Sequence, residues 1–158
     1  MTGKINIRRA KPQDYPALGG VFFAAVRDGA ELYTEAERKV WASQLPTGED
    51  WSSRLAAQDM TVAETDSGTL IGFTSMDARG YADFAYILLA HQGQGLFRRL
   101  YTPLEQAAIE RGITQFSVHA SLHARPAFAA VGYLVTEEEI IEIEDERIQR
   151  FVMAKQIS

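Results

Sequence analysis

A glycine-rich turn near the middle of the chain has the residue types of an anion site. It reads His91-Gln92-Gly93-Gln94-Gly95, follows an apolar segment, and precedes apolar residues at helical spacing. The two glycines let the backbone bend sharply and let a bulky ligand approach without a Cβ in the way. The helix behind them presents unpaired N–H groups and the positive end of its dipole. These features predict a phosphate site.

The spacing of residues in this turn excludes two common kinds of phosphate loop. A nucleoside-triphosphate loop requires Gly-Lys followed by Ser or Thr, which the chain does not contain. The dinucleotide fingerprint requires a third glycine where Arg98 stands. The segment Gln92–Phe97 instead fits the pattern Gln/Arg-x-x-Gly-x-Gly/Ala, except that Phe97 replaces the small residue. This segment resembles the acyl-CoA pyrophosphate loop of the GNAT superfamily of N-acetyltransferases.

The resemblance to this family extends over nearly the whole chain. Residues 81–87 resemble the family's fourth strand, residues 117–121 its fifth strand, and residues 124–133 its helix that ends in Gly-Phe. Residues 1–59 match least well, in the region that sets substrate choice. The resemblance implies one GNAT-like domain over residues 1–158. Its fold would be α/β (α+β), with a mixed central sheet of about six or seven strands flanked by helices.

By the same resemblance, the cosubstrate is acetyl-CoA. The backbone of residues 87–89 would hold the pantetheine arm, and the amides of residues 92–97 would hold the pyrophosphate. Arg98, in the first helical turn, opposes the helix dipole and is expected either to meet phosphate or to be solvated. The expected cosubstrate-binding residues are Ile87, Leu88, Leu89, Gln92, Gly93, Gln94, Gly95, Leu96, Phe97, Arg98, Ser121 and Phe128. No metal is expected.

The acceptor side of the cleft is expected to contain aromatic residues. Tyr33, Tyr81 and Trp41 are the predicted substrate-binding residues. Tyr33 and Trp41, like Trp51, belong to the helical region that, by the resemblance, lies over the acceptor. Trp41 and Trp51 also fit core aromatics at helical spacing, and for these two residues the core interpretation is favoured.

The catalytic base is predicted less sharply than the cosubstrate site. Asp83 precedes Ile87 by four residues, so both side chains share a strand face unless a bulge intervenes. A carboxylate is costly to bury without a partner, which favours a role at the cleft, although it could instead bond a neighbouring turn. His119 and His123 are the alternative bases because of their intrinsic pKa.

Two positions depart from the family pattern. Phe128 stands where many relatives have a tyrosine that protonates the departing thiolate, and Ser121 stands where many have asparagine. A phenyl ring cannot donate a proton. Protonation would then come from Tyr86, Tyr133 or water, or would be unnecessary, since a thiolate is a tolerable leaving group near neutral pH. The predicted catalytic residues are Asp83, His119 and Tyr86.

Composition sets limits on partners and location. The 158 residues carry a net charge of −5 and no cysteine, which excludes disulfides, thiolate metal sites and a cysteine nucleophile. The negative charge gives no general attraction to nucleic acid or acidic membranes and suits a cationic small-molecule or peptide amine. No membrane span or signal peptide is apparent, so we expect a cytoplasmic protein. The sequence leaves the oligomeric state open, with a homodimer among the alternatives.

The element pattern predicts where the helices begin and end. Pro12 begins a first helix to about Arg27 that contains Gly19-Gly20, and two glycines inside a helix indicate close packing or a local break. Thr34 and Glu37 form a capping box for a second helix, expected to end near Leu45.

Two other classes of function fit the same sequence. Phe97 and Phe128 are compatible with a non-catalytic acyl-CoA sensor. A nucleotide-binding regulatory domain would require that ATP or NAD outcompete CoA.

Overall fold

Seven strands form one mixed sheet in the computed structural model, which describes residues 4–157. The order across the sheet is β1-β2-β3-β4-β5-β7-β6. Only the β4–β5 pair is parallel among these neighbours. The strands are β1 (Asn6–Arg9), β2 (Asp59–Glu64), β3 (Leu70–Met76), β4 (Tyr81–Ile87), β5 (Gln115–Ala120), β6 (Leu134–Ile143) and β7 (Glu146–Gln156).

Five α-helices flank the sheet and complete an α/β fold. They are α1 (Tyr15–Gly29), α2 (Glu35–Trp41), α3 (Gly48–Ala56), α4 (Leu96–Glu110) and α5 (Ala124–Ala130). The helices form two layers, and neighbouring residues of β2 show which helices belong to each. Val62 packs with α1 and α3, whereas Ala63 packs with α4. Because side chains alternate along a strand, these helices lie on opposite faces of the sheet. The cluster around α4 and β5 also takes in α5.

The sequence patterns predicted the first two helices, but some of their boundaries differ in the structure. The Thr34 hydroxyl accepts from the Glu37 N–H at 3.1 Å, and the Glu37 carboxylate accepts from the Thr34 N–H at 2.8 Å. The predicted capping box is therefore present. The helix it begins ends at Trp41, not near Leu45. The first helix begins with one 3₁₀ turn at Pro12–Asp14 before α1.

The first of the paired glycines in α1, Gly19, is explained by close packing, whereas a Cβ on Gly20 would meet no protein atom within 4 Å. A Cβ on Gly19 would lie 2.4 Å from the Pro46 carbonyl oxygen, a distance that forbids any side chain there. The helix continues through both positions. The segment between α2 and α3 therefore lies directly against α1.

Helix α4 is attached to the sheet next to its internal proline. Pro103 has no N–H to offer the Arg99 carbonyl, which weakens this turn. The Thr61 hydroxyl from β2 donates to the neighbouring Leu100 carbonyl at 2.6 Å, and the Thr74 hydroxyl from β3 lies 2.8 Å from Thr61 Oγ1 and 3.2 Å from the same carbonyl. These buried bonds fix the position of α4 and hence of the glycine turn at its N-terminus.

A partly buried ion pair attaches the start of α1 to β1. The Asp14 carboxylate accepts two bonds from the Arg8 guanidinium, at 2.8 and 2.9 Å, and one from the Lys11 N–H at 2.7 Å. The Arg8 bonds hold the pKa of Asp14 below its usual value of 3.8. A carboxyl with a lowered folded pKa contributes stability above the unfolded value and loses it as pH falls through the folded value.

We expect Asp14→Asn to lower the free energy of unfolding by about 2 kcal/mol near pH 7, because Arg8 loses one of its two charged partners and keeps only Glu64. The difference from the unsubstituted protein should shrink as pH falls below about 4. Urea unfolding at about pH 7 and about pH 3 measures both. A difference that is independent of pH would contradict the assigned role of the ionised carboxylate.

Candidate active site

The parallel strands β4 and β5 separate after two residue pairs. Tyr81 pairs with Ser117 and Ala82 with Val118, after which β4 continues alongside β3 and β5 continues alongside β7. The edge of β4 that faces β5 is therefore free from Asp83 onward. This gap in the middle of the sheet is where the two adjoining cavities of the site lie.

The main cavity has a volume of about 460 Å³ and lies between the glycine turn, α1, the end of β4 and the start of α5. Its lining is mostly apolar, as is usual for a ligand site. Seven of the predicted cosubstrate-binding residues line it, namely Ile87, Gln92, Gly93, Gly95, Leu96, Phe97 and Ser121.

The glycine turn has the backbone conformation of an anion site. Gly93 and Gly95 both have φ of +76°, and Gly95 occupies the left-handed region at the N-cap of α4. No side chain caps α4, so its first N–H groups are open to a ligand. A Cβ on either glycine would meet no protein atom within 4 Å. Conformation and access to the cavity, not internal packing, explain both glycines.

The end of α1 forms a wall of the main cavity that the sequence analysis did not predict. A Cβ on Gly29 would lie 3.2 Å from Gln92 Nε2 and 3.7 Å from Leu89 Cβ. The Gln92 amide also donates to the Ile87 carbonyl at 3.0 Å, which fixes the turn against β4. The run of small residues at the end of α1 is the sequence feature that could have predicted this wall. The lining residues from this region are Ala25, Val26, Gly29 and Ala30.

A smaller cavity of about 40 Å³ continues from the main one into the β4–β5 gap. The two cavities share the lining residues Trp41, Ala85, Tyr86, Ser121 and Ala124. Asp83, His119 and Phe128 line only the smaller cavity. The structure thus brings the predicted catalytic residues together beside the predicted cosubstrate site.

A bulge in β4 changes where Asp83 lies. Ala82 and Ala85 are three positions apart in the sequence, whereas their partners on β3, Met76 and Thr74, are two positions apart. The extra residue reverses the alternation, so Asp83 contacts Arg54 of α3 while Ile87 packs with α4 on the other face. Asp83 and Ile87 therefore do not share a strand face.

Both oxygens of Asp83 already accept hydrogen bonds. Arg54 donates from Nε at 3.0 Å and from Nη2 at 2.8 Å, and Gln58 donates from Nε2 at 2.7 Å. The Arg54 guanidinium also lies over the Phe84 ring, 4.5 Å from its centroid. These bonds occupy three of the about four acceptor positions of the carboxylate, so a proton from an amine could enter only at Oδ1.

His119 makes a hydrogen bond through one ring nitrogen. Its Nδ1 lies 2.8 Å from the Tyr81 hydroxyl. This bond joins β5 to β4 next to the residue pairs Tyr81–Ser117 and Ala82–Val118. Burial raises the pKa of Tyr81, and the negative charge of Asp83 adds to this effect. Tyr81 thus stays protonated and lies beside His119 without lining either cavity.

Tyr86 lies in the wall shared by the two cavities. Burial raises the pKa of its hydroxyl well above the usual value, with a further contribution from the Asp83 charge. Its ring packs edge-on against Phe22 at 4.9 Å. Tyr86 is therefore a neutral hydroxyl near the predicted reaction site.

Phe128 is packed in an aromatic cluster between α4 and α5. It is 1% exposed and lies edge-on to Phe97 at 4.9 Å and to Tyr133 at 5.0 Å. The Tyr133 hydroxyl is buried and lies 2.8 Å from the Tyr101 hydroxyl, which donates to Glu105 at 3.0 Å. Tyr133 does not line either cavity, so this network leaves it no access to a leaving group.

We expect Phe128→Tyr to lower the melting temperature without raising turnover. The added hydroxyl enters a packed aromatic cluster and costs about 1–3 kcal/mol where it lacks a partner. Thermal unfolding and acetyl-transfer kinetics on the same variant check both parts. A faster enzyme of unchanged stability would show that the new hydroxyl reaches the reacting atoms.

Several predicted residues lie outside the lining of both cavities. Arg98 is exposed, and its guanidinium donates to the Ala130 carbonyl at the end of α5 at 2.9 Å. The Tyr33 hydroxyl donates to the Gln149 carbonyl at 2.6 Å and accepts from the Leu122 N–H at 2.8 Å. Tyr33 packs edge-on against Trp41, which does line both cavities. The other predicted residues outside the lining are Leu88, Leu89, Gln94 and Tyr81.

Comparison with known proteins agrees with this architecture. The family model for the acetyltransferase (GNAT) domain matches residues 29–157. The chain belongs to the GNAT acetyltransferase family. The predictions of an N-acetyltransferase and of acetyl-CoA as its cosubstrate are confirmed at the level of this family. Enzymes of the GNAT family act on small-molecule or peptide amines.

Individual relatives of this GNAT chain cover almost its full length. The uncharacterized N-acetyltransferase YafP of Escherichia coli (strain K12) is 25% identical over 150 residues, which are 94% of each chain. A GCN5-related N-acetyltransferase from Rhodopseudomonas palustris is 26% identical, with 99% of each chain covered and a TM-score of 0.87. A phosphinothricin acetyltransferase from Sinorhizobium meliloti, solved with acetyl-CoA, is 17% identical, with 100% and 90% covered and a TM-score of 0.74. The predicted fold class is confirmed.

Proposed function

We propose that this GNAT protein transfers the acetyl group of acetyl-CoA to a primary amine by direct attack, without a covalent enzyme intermediate. The observation that carries the proposal is the junction of the two cavities. One cavity contains the glycine turn, the other contains His119 and Asp83, and Tyr86 lies in the wall between them. A cosubstrate and an acceptor entering from these two sides would meet at the β4–β5 gap.

The residues of the main cavity fit acetyl-CoA. The open N–H groups from Gly93 to the first turn of α4 would hold the pyrophosphate, and the free edge of β4 up to Ile87 would bond the pantetheine amides. Bound acetyl-CoA supplies an activated acyl group with a thiolate leaving group. The structure from Sinorhizobium meliloti that contains acetyl-CoA supports the assignment through the shared fold.

We assign His119 as the group that takes the proton from the amine. In the tautomer whose Nδ1–H donates to the Tyr81 hydroxyl, Nε2 keeps its lone pair and can accept that proton. Asp83 ranks below His119 as the base, because its oxygens already accept hydrogen bonds from Arg54 and Gln58. Its negative charge at the smaller cavity would still attract a cationic amine.

The homodimer and the cytoplasmic location stay predictions. No helix within residues 4–157 is long and apolar enough to cross a membrane. The outer strand β6 exposes Leu134, Val135 and Ile140, an apolar surface that a second copy would cover in a homodimer.

Turnover on a panel of amines tests the proposed function. Purified protein is incubated with acetyl-CoA and small-molecule or peptide amines, and free CoA and acetylated amine are measured together. We expect equal amounts of both products from at least one amine, and none without an amine. Tight CoA binding with no turnover on any amine would favour a non-catalytic sensor, the alternative to which buried Phe128 points.

A further inference from the structure

Arg150 lies on the same sheet face as His119. In the antiparallel pair of β5 and β7, His119 is directly opposite Val152, and Arg150 is two residues from Val152 along β7. Residues directly opposite each other share a face, as do residues two apart in one strand, so Arg150 and His119 are diagonal neighbours about 7–8 Å apart. Because the strands run in opposite directions, Arg150 is displaced toward the end of β5 that precedes Ser121, which lines both cavities. Arg150 therefore lies beside the candidate acceptor site.

The sheet face around His119 is accessible. β5 exposes its alternate residues, namely Gln115, Ser117 and His119. On β7, Ile148 is buried in a cluster with the α1–α2 region, whereas the next residue on that face, Arg150, has a side chain that is 31% exposed. An amine can therefore approach His119 over this face, and Arg150 lies along the approach.

The Arg150 guanidinium keeps donors that the chain does not use. Its Nε donates to the carboxylate of Glu139, which is directly opposite on β6. Its Nη1 and Nη2 have no hydrogen-bond acceptor within residues 4–157. These two nitrogens present parallel N–H groups, a geometry that matches the two oxygens of a carboxylate. Glu139 therefore balances the charge of Arg150 and leaves this pair of donors for a ligand.

The charge of Arg150 acts at the hydrogen bond between Tyr81 and His119. Burial raises the pKa of Tyr81, and the positive charge of Arg150 opposes this rise more strongly than that of Arg54 does. The Tyr81 hydroxyl lies 2.8 Å from His119 Nδ1. An electrostatic effect of this size agrees with the short separation that the strand register gives.

Opposite charges thus flank His119 on its two neighbouring strands. Asp83 lies on β4 and lines the smaller cavity together with His119, while Arg150 lies on β7. The carboxylate of Asp83 suits an ammonium group, and the Nη groups of Arg150 suit a carboxylate. An α-amino acid carries both groups on one carbon, so it can meet both sides of the site at once.

We infer that the acceptor is an amino acid or a similar small amine with a carboxylate next to the amine, and that Arg150 binds this carboxylate through Nη1 and Nη2. The inference rests on the proposed function and names the class of its acceptor. It also makes Arg150 a residue that determines acceptor specificity.

The test compares matched acceptors that differ only in the carboxylate. Each common amino acid is offered with acetyl-CoA as the free acid, as its amide and as the amine that lacks the carboxylate. Values of kcat/KM are measured for the unsubstituted protein, Arg150→Gln and Arg150→Lys. Arg147→Gln is the control variant, since Arg147 is an exposed residue of the same strand that points to the other face. Melting temperatures show that each variant is folded.

We expect Arg150→Gln to lower kcat/KM for the best free amino acid about 10-fold or more, and to leave kcat/KM for its amide within about 2-fold. Comparison of the same acceptor between variants removes the difference in basicity between the two amines. Arg150→Lys should show an intermediate loss, because lysine keeps the charge without the paired donors. Arg147→Gln should leave both values unchanged, and KM for acetyl-CoA should stay the same in all variants.

An equal loss on the free acid and the amide in Arg150→Gln would overturn the inference, because it would assign Arg150 a structural role. An unchanged preference for the free acid in this variant would overturn it as well. Turnover by the unsubstituted protein only on amines without a carboxylate, such as polyamines or peptide amino termini, would overturn it while the proposed function stands. Failure of the proposed function is recognised separately, because the unsubstituted protein would then acetylate no amine at all.

Discussion

Gly95→Val is expected to lose about 100-fold or more of the affinity for CoA while the protein stays folded. Gly95 has φ of +76°, a conformation that a β-branched residue adopts only with strain of about 1–3 kcal/mol. Its Cβ would enter the main cavity at the N-terminus of α4, where the pyrophosphate is expected. Strain and blocked access both act on the ligand site. Isothermal titration calorimetry with CoA measures the loss.

Gly68→Val is the matched control for this prediction. Gly68 lies between β2 and β3 with φ of +86°, and a Cβ there also meets no protein atom within 4 Å. It does not line either cavity. Both variants should lose similar stability, and only Gly95→Val should lose affinity for CoA. Equal affinity in both variants would show that the pyrophosphate does not bind at the glycine turn.

His119→Gln is expected to lower kcat about 100-fold while the affinity for CoA stays close to that of the unsubstituted protein. An amide cannot take up the proton, and His119 lines only the acceptor-side cavity. Gln115→Ala is the control, since Gln115 is an exposed residue of the same strand and face. Steady-state kinetics and titration calorimetry with CoA measure the two quantities.

Asp83→Asn distinguishes the two candidate bases. With His119 as the base, this substitution removes the partner of Arg54 and should lower kcat less than about 10-fold. A loss of about 100-fold in Asp83→Asn together with a small loss in His119→Gln would reverse the assignment. That result would assign the base role to Asp83 although its oxygens accept bonds from Arg54 and Gln58.

The sequence predicted the features that depend on neighbouring residues. The Thr34–Glu37 capping box and the glycine turn before α4 are local patterns, and both are present as predicted. The family resemblance predicted a mixed sheet with residues 81–87 and 117–121 as its fourth and fifth strands, and these segments lie in β4 and β5. The turn and the strands on which the proposed cosubstrate site depends were therefore predictable.

The acceptor side depends on contacts between distant parts of the chain. The bulge in β4 that turns Asp83 toward Arg54 reflects the register with β3, which the alternation of residues does not reveal. Arg98 bonds a carbonyl 32 residues away. The Nε2 of His123 accepts a bond from the Leu32 N–H, 91 residues away. Such contacts exist only after the chain has folded.

A crystal structure with CoA bound tests the central claim, the location of the cosubstrate site, most directly. We predict that pyrophosphate oxygens accept hydrogen bonds from the amides between Gly93 and the first turn of α4, and that the thiol lies at the β4–β5 gap near Tyr86. A pyrophosphate bound elsewhere on the protein, with the glycine turn unoccupied, would contradict the account.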